Sequence, residues 1–375
     1  MTDDMIISGK RILIGGKIQS GYIKTENGKI TEVGREYCKK GRDMGDLLVL
    51  PGFVDIHVHG GNGYDVMDKK IEKIAEYKIG EGVLLFSPTL ITADIEEMKR
   101  VLVSLRNYDG KYAKITGAFM EGPYISEKYK GAHDEKYIRK IDIDELKNIY
   151  EEYGDIISRI IFAPEKENAL DAVRVTGKMG IGVGIGHSGA DHDTAVNAIK
   201  NGAMCGIHIY NAMSGFGHRD GGMVGALLNN DDVYCEIICD MVHTSRNAVE
   251  IMLRCKNSDK IILITDCMRA GGMKDGEYML GSVKTTVKDG IARTESGNLA
   301  GSTLKMNIAV KNMAQICKSI EKAVEMATIN PCRLIGADDE RGSIERGKFA
   351  DIIAVDDYFN VKFVMSEGKI MLEQT

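Results

Sequence analysis

The chain has 375 residues, of which 43% are hydrophobic and 28% are charged, and its formal net charge is −6. A chain of this length buries a full-sized core, and a net-acidic protein without a basic patch does not attract nucleic acid or an anionic membrane. Its eight cysteines form no C-x-x-C pair, and apolar stretches such as residues 47–58 are too short to span a bilayer. We therefore predict a cytoplasmic protein with reduced cysteines and with no nucleic-acid or membrane partner.

The two ends of the chain contain short strand-like segments separated by turn signals. At the N-terminus these segments are residues 11–14, 21–24 and 29–33, with an Asn27-Gly28 turn before the last one. The C-terminal segment has the same pattern, with strand-like runs at residues 350–355 and 363–365 separated by polar turns. We predict that residues 1–50 and 345–375 form one small β-sandwich domain beside a larger domain of residues 51–344.

Between these ends, apolar strand-like runs alternate with helical patterns. Eight such runs occur, at residues 53–58, 83–86, 115–120, 159–163, 181–186, 203–207, 234–239 and 261–265. Eight repeats of a strand followed by a helix predict an α/β fold, a closed parallel (β/α)8 barrel of the TIM type. The chemistry of such barrels gathers at the carboxyl ends of the strands, so polar side chains are expected there.

Metal-ligating residue types do stand at the predicted strand ends. His57 and His59 end the first strand, and their side chains share a face because side chains alternate along a strand. The other candidates are Glu121 after strand three, His187 after strand five, His208 after strand six and Asp266 after strand eight. A single histidine of this kind is more often hydrogen-bonded in a core than bound to metal. The set of four imidazoles and two carboxylates predicts a divalent metal site, with zinc preferred and iron, cobalt or manganese as alternatives.

A glycine pattern in the fifth strand suggests a different kind of site. Gly184, Gly186 and Gly189 match the G-x-G-x-x-G pattern of dinucleotide-binding proteins. These glycines overlap the end of the strand instead of following it, and the match contains His187. We therefore reject a dinucleotide site and expect the small residues to allow close approach to the metal centre.

The segments around these candidate ligands resemble the N-acetylglucosamine-6-phosphate deacetylases, a family within the amidohydrolase superfamily. The resemblance extends over nearly the whole chain and its motifs are specific. They are residues 51–60 (PGFVDIHVHG), 121–123 (EGP), 131–133 (GAH), 186–188 (GHS), 208–213 (HIYNAM), 265–266 (TD) and 299–304 (LAGSTL).

The resemblance implies a metal centre of one or two ions per subunit. It implies that Glu121, His187 and His208 hold one ion, and that His57, His59 and Asp266 form a second site that shares Glu121. Many superfamily members carry a carboxylated lysine on strand four, and Lys166 lies close to that position. In the deacetylase branch the strand-three glutamate takes over that role, so we expect Lys166 to be unmodified.

The resemblance further implies hydrolysis of N-acetylglucosamine 6-phosphate to glucosamine 6-phosphate and acetate. A metal-activated water would attack the acetyl carbonyl, and Asp266 would act as general base and then as general acid. In the family, the loop that carries Arg219 can reach the site of a neighbouring subunit, which implies a homodimer. The residues that correspond to substrate contacts are Ala132, His133, Asn211, Ala212, Arg219, His243 and Leu299.

The sequence departs from the family in residues 214–222, where glycines are more numerous than expected. This loop should border the phosphate, so its composition leaves open whether the substrate is the gluco or the galacto epimer. Two other functions compete with the deacetylase. A deaminase or cyclic amidase could use the same barrel, although the motifs at 121–123 and 208–213 argue against it. A non-catalytic scaffold would be expected to have lost ligands, and none is missing.

Overall fold

The computed structural model describes residues 4–38 and 41–374. Most strands belong to a parallel barrel or to a separate sheet formed by both ends of the chain. In chain order they are β1 (Met5–Ile14), β2 (Lys17–Glu26), β3 (Lys29–Gly34), β4 (Arg42–Asp43), β5 (Leu48–Pro51), β6 (Phe53–Val58), β7 (Gly60–Gly61), β8 (Tyr64–Asp65), β9 (Val83–Ile91), β10 (Lys114–Ile115), β11 (Ala118–Glu121), β12 (Ile157–Phe162), β13 (Gly182–Ile185), β14 (Cys205–Gly206), β15 (Tyr234–Ile238), β16 (Ile261–Ile264), β17 (Gly276–Leu280), β18 (Val283–Lys288), β19 (Ile291–Thr294), β20 (Ile352–Val355), β21 (Val361–Ser366) and β22 (Lys369–Glu373).

The helices lie mainly between successive barrel strands. They are α1 (Ile71–Ile79), α2 (Ile95–Arg106), α3 (Ile143–Tyr153), α4 (Ala169–Lys178), α5 (His192–Lys200), α6 (Gly222–Leu228), α7 (Arg246–Cys255), α8 (Met306–Cys317), α9 (Ile320–Glu325) and α10 (Ile329–Leu334). Helix α2 shows why these segments are helical. Asp94 caps its first turn, and its buried residues Met98, Val101, Leu102 and Leu105 follow the helical period, so one face packs on the barrel.

The eight predicted barrel strands are present, which confirms the predicted fold class. Strands β6, β9, β11, β12, β13, β14, β15 and β16 pair in this order and all pairs are parallel. The barrel closes between the last strand and the first through a bridge from Val58 to Cys267 and a hydrogen bond from Asp266 N to His57 O of 3.0 Å. The predicted run at 115–120 is interrupted at Gly117, whose φ of 99° separates β10 from β11.

The two ends of the chain share one sheet, in the order β22-β21-β20-β5-β1-β2-β3, with β4 paired to β1. Its middle strands are buried on both faces. Val49 of β5 and Ile352 of β20 belong to a small core within this unit, whereas Leu48 and Ile353 pack into the barrel core. The alternation of side chains along each strand therefore attaches the terminal sheet to the barrel. The boundaries at residues 50/51 and 344/345 stay a prediction.

A second, three-stranded antiparallel sheet of β17, β18 and β19 follows the last barrel strand and was not predicted. Its apolar side chains pack with Ile91, Ala132, Met268 and Ala300 near the carboxyl end of the barrel. In the part of the chain that the structure describes, we find no helix with the length and apolar character needed to cross a membrane.

Candidate metal and substrate site

The predicted ligands converge at the carboxyl end of the barrel, and their backbones are unusual. His187, His208 and Asp266 have φ values of 46°, 25° and 49°, in a region that residues with side chains rarely adopt. Such conformations cost on the order of 1–3 kcal/mol each and persist where the surrounding structure holds them. Each of these three residues lies just after the end of a barrel strand, where the chain turns away from the strand and the side chain points into the barrel mouth.

Glu121 is the centre of the first group of ligands. Its Oε1 lies 3.1 Å from His187 Nε2 and 3.0 Å from His208 Nε2, and the two nitrogens are 3.1 Å apart. His187 Nδ1 donates to the carbonyl oxygen of Tyr129 at 2.8 Å, which leaves the Nε2 lone pair directed at Glu121. An anionic oxygen and a nitrogen lone pair at this separation repel each other unless a proton or a metal ion lies between them. The donor set is that of a borderline divalent metal.

The second group of ligands is formed by His57, His59 and Asp266, whose ligand atoms all lie within 4.8 Å of one another. His59 Nε2 lies 2.9 Å from Glu121 Oε2 and 3.3 Å from Asp266 Oδ1, so the two groups share Glu121. Within the described residues, His57 Nε2 and Asp266 Oδ1 are buried atoms without a hydrogen-bond partner. Buried polar atoms are almost always satisfied, so these two fit a metal ion.

The charges of these groups are strongly coupled. Burial favours neutral imidazoles, but the charges of Glu121 and Asp266 outweigh it and raise the pKa of His57 well above its usual value. Burial also disfavours the charged form of His59, but the nearby carboxylates of Asp266 and Glu121 outweigh it and raise the pKa of His59 to about 9. Burial also opposes ionisation of the two carboxyl groups. The positive charge of His57 nevertheless lowers the pKa of Asp266, and it holds the pKa of Glu121 well below its usual range. Both carboxylates are therefore anionic at neutral pH, as metal ligands must be.

His133 also lies next to Glu121, but its hydrogen bonds distinguish it from the ligands. A backbone N–H can only donate, so His133 Nδ1 accepts the hydrogen bond from Thr92 N at 3.4 Å. Thr92 Oγ1 lies 2.8 Å from the same nitrogen. In the neutral ring the proton is then on Nε2, which lies 3.5 Å from Glu121 Oε2. Burial, followed by the charge of His187, lowers the pKa of His133 to about 4. His133 is thus a neutral hydrogen-bond donor at the site, although it stands close enough to Glu121 and His187 for ligation.

A cavity of about 410 Å³ opens over both groups of ligands. Its volume is in the range of small-molecule sites. Glu127, Lys128 and Lys130, from the loop after β11, line its wall. Six of the seven predicted substrate contacts line it, namely Ala132, His133, Asn211, Ala212, His243 and Leu299.

Arg219, the seventh predicted contact, lies elsewhere. It is exposed, and it lines a separate hollow of about 750 Å³ together with His192 and Phe216. The structure of a single chain therefore does not bring Arg219 to the metal ligands.

Sequence reasoning missed the residues that orient these ligands. Glu236 accepts a hydrogen bond from His57 Nδ1 at 2.9 Å, and the carbonyl oxygen of Thr89 accepts one from His59 Nδ1 at 3.2 Å. Thr92 orients His133, as described above. A signal for Glu236 was available, since it is a lone acid inside the otherwise apolar strand β15.

The chain is similar to known proteins over nearly all of its length. The profile described as "Amidohydrolase family" matches residues 48–371. An N-acetylglucosamine-6-phosphate deacetylase of Vibrio furnissii is 36% identical over 376 residues, which cover 97% of this chain and 94% of that protein. An N-acetylgalactosamine-6-phosphate deacetylase of Escherichia coli O157:H7 is 36% identical over 330 residues, which cover 86% and 87%. The structure of a mutant N-acetyl-D-glucosamine-6-phosphate deacetylase from Mycobacterium smegmatis, in complex with N-acetyl-D-glucosamine-6-phosphate, has a TM-score of 0.94 at 27% identity and covers 99% of this chain and 100% of that one.

Proposed function

The chain belongs to the amidohydrolase family, and on that premise we propose that it hydrolyses the N-acetyl group of N-acetylglucosamine 6-phosphate to glucosamine 6-phosphate and acetate. One observation carries the proposal. Asp266 lies in the same cavity as Glu121, His187 and His208, and its buried Oδ1 has no hydrogen-bond partner among the described residues. A carboxylate in this position can exchange a proton with a substrate amide placed against the metal ligands.

We assign the metal to the two groups of ligands, as one or two divalent ions per chain. Glu121, His187 and His208 would hold the first, and His57, His59 and Asp266 the second, with Glu121 shared. Zinc suits the imidazole and carboxylate donors, and iron, cobalt and manganese are the alternatives. A divalent ion at this place supplies a Lewis acid for the acetyl carbonyl and lowers the pKa of water.

Asp266 moves the proton. Its carboxylate is anionic at neutral pH, so it accepts the proton of the attacking water as the C–O bond forms. It then returns that proton to the amide nitrogen as the C–N bond breaks, and acetate and the free amine leave. Two backbone hydrogen bonds hold the residue, from Asp266 N to His57 O at 3.0 Å and from Ser302 N to Asp266 O at 2.7 Å.

His133 and the residues after β14 bind the substrate. The Nε2–H of His133 donates a hydrogen bond into the site, toward the acetyl oxygen or the oxyanion that develops from it. Asn211, Ala212 and His243 line the same cavity. His243 Nδ1 donates to Asp240 Oδ2 at 2.7 Å, which leaves Nε2 for the sugar or its phosphate.

Arg219 acts, in this proposal, on the phosphate in the site of a second subunit. It lies outside the cavity of its own chain, and Phe216 in the same loop is 73% exposed. A homodimer that buries this loop would bring a bidentate phosphate ligand to the partner's cavity. Sedimentation of the purified protein tests the dimer. Mixing the inactive variants Arg219→Ala and Asp266→Asn tests whether Arg219 acts in the partner's site, since recovered activity requires sites built from both chains.

We further propose that the protein acts in the cytoplasm.

The test of function is acetate release by the purified protein from N-acetylglucosamine 6-phosphate, with and without chelation. We expect turnover that stops on metal removal and returns with zinc. Asp266→Asn should lower kcat about 10²–10⁴-fold, the usual contribution of a general base. Asp357→Asn, which neutralises an exposed carboxylate at the terminal sheet, is the control and should leave turnover unchanged. The absence of turnover of any sugar after metal is restored would refute the proposal.

The galacto epimer is a second candidate substrate, because one relative, also 36% identical, is named N-acetylgalactosamine-6-phosphate deacetylase. The same assay is therefore run with N-acetylgalactosamine 6-phosphate and with unphosphorylated N-acetylglucosamine. A higher kcat/KM for the phosphorylated gluco sugar supports the proposal, and the opposite order makes the chain the galacto enzyme.

A further inference from the structure

A buried ion pair lies beneath the metal ligands, inside the barrel. Glu236, on β15, is 0% exposed, and Arg159, on β12, is 2% exposed. Arg159 Nη1 donates to Glu236 Oε1 at 2.5 Å, and Nη2 donates to the carbonyl oxygen of Ile56 at 2.6 Å. The guanidinium carbon also lies 4.2 Å from the centre of the Phe119 ring. The proposed reaction does not use either charged group.

The second oxygen of Glu236 connects this pair to the metal ligands. Glu236 Oε2 lies 2.9 Å from His57 Nδ1, and the His57 ring packs edge-on against Phe119 with ring centres 4.9 Å apart. The opposite ring nitrogen, Nε2, lies 3.5 Å from Glu121 Oε1 and 3.6 Å from Asp266 Oδ1. Each nitrogen of His57 therefore faces a different carboxylate environment.

We propose that Glu236 and Arg159 fix the tautomer of His57 and thereby enable the chain to hold the second metal ion. The proposal rests on the proposed His57–His59–Asp266 site and deepens it. Glu236 and Arg159 are positioning residues, because they act on the ion through His57.

The argument follows from the donors and acceptors. An ionised carboxylate only accepts hydrogen bonds, so His57 Nδ1 carries a proton and Nε2 offers its lone pair to a metal. Arg159 compensates the buried charge of Glu236, which would otherwise be expensive in the barrel interior. It also holds the carboxylate in place, since one guanidinium bonds both Glu236 and the backbone next to His57.

The substitution Glu236→Gln hardly changes the shape of the side chain, but it would replace the hydrogen-bond acceptor that faces His57 Nδ1 with a donor. Arg159 has only donors, so the amide oxygen of the glutamine must face Arg159 and its NH2 group must face His57. His57 Nδ1 then has to accept, and the proton moves to Nε2, where it blocks ligation. If Arg159 is replaced by methionine as well, the amide oxygen is free to turn toward His57 and restore the original tautomer.

The experiment compares the wild-type protein with Glu236→Gln, Arg159→Met and the double variant, each loaded with zinc. Metal per chain is measured by mass spectrometry and zinc affinity by competition with a chromophoric chelator, without substrate. We expect two ions in the wild type and one in Glu236→Gln, whose second site weakens about 10–100-fold or more, the usual effect of losing such a partner. The double variant should bind the second ion more tightly than Glu236→Gln. A purely structural role would make the double variant worse than either single one.

Nitrogen-15 NMR of the zinc-loaded wild type gives a test that does not depend on any variant folding. The His57 signals should show a proton on Nδ1 and none on Nε2. A protonated Nε2, a wild type that binds a single ion, or a Glu236→Gln protein with two ions of wild-type affinity would overturn the proposal. Since metal content is measured without substrate, a failure here is distinguishable from a failure of the proposed deacetylation.

Discussion

Replacing Lys78 with methionine should strongly destabilise the protein. Lys78 is completely buried, and its Nζ lies 3.2 Å from Asp55 Oδ2 and 3.0 Å from Glu81 Oε2. Methionine keeps most of the volume, so the effect is not that of a cavity. It leaves two buried carboxylates without their cation.

The size of the destabilisation depends on the hydrogen bonds that the two carboxylates retain in Lys78→Met. Asp55 retains hydrogen bonds from Thr265 Oγ1 at 2.6 Å and Thr265 N at 3.2 Å, whereas Glu81 Oε2 retains a long one from Met306 N at 3.4 Å. Removing one partner of a buried pair typically costs about 3–5 kcal/mol. We expect a loss of unfolding free energy in that range, mainly through Glu81.

Urea unfolding of the metal-free protein measures this loss, because bound metal would add its own stabilisation. Lys73→Met is the matched control. Lys73 is in the same helix, but it is exposed and pairs with Glu76 at 3.4 Å, so its loss should change the unfolding free energy by less than about 0.5 kcal/mol. Adding Glu81→Gln to Lys78→Met should recover part of the stability. If Lys78→Met were no more destabilising than Lys73→Met, the reasoning would be refuted.

Three further predictions concern single residues. Thr92→Val removes a hydroxyl 2.8 Å from His133 Nδ1 and should lower kcat about 10-fold, the equivalent of one hydrogen bond; unchanged steady-state kinetics would contradict this. Glu121→Gln removes the charge shared by both groups of ligands, so the purified protein should contain no bound metal by mass spectrometry, and wild-type metal content would show that Glu121 is not a ligand. Asp94→Ala removes the cap that accepts from Glu96 N at 3.0 Å and should lower the unfolding free energy by about 1 kcal/mol in urea, without an effect on acetate release. A stability equal to the wild type would show that the cap contributes nothing.

The barrel could be predicted because each of its strands is marked by a pattern within a few consecutive residues. Each strand is a short apolar run, and the rule that parallel strands present their carboxyl ends at one edge places Glu121, His187 and Asp266 together. The sheet of β17–β19 was missed although its turns are marked, at Gly281 and at Asp289-Gly290. It breaks the repeat of strand and helix, and a barrel pattern gives no reason to expect an insertion there.

The residues that orient the ligands could not be found in the same way. Glu236 and Arg159 are 77 residues apart, and their pairing depends on which side chains of β12 and β15 face the barrel interior. Short strands that are buried on both faces do not reveal this by hydrophobic alternation. The position of Arg219 depends on the path of an exposed loop, which few buried contacts determine.

The terminal sheet has a consequence for synthesis on the ribosome. Strand β5 lies between β1, made just before it, and β20, which follows after about 300 residues. At about 5–20 residues per second, translation leaves that edge of β5 without its partner for roughly 15–60 s. Unpaired edges of this kind recruit other strands. The nascent chain is therefore most exposed to misassembly before β20 emerges, and pairing of β20 with β5 is the step that ends this vulnerability.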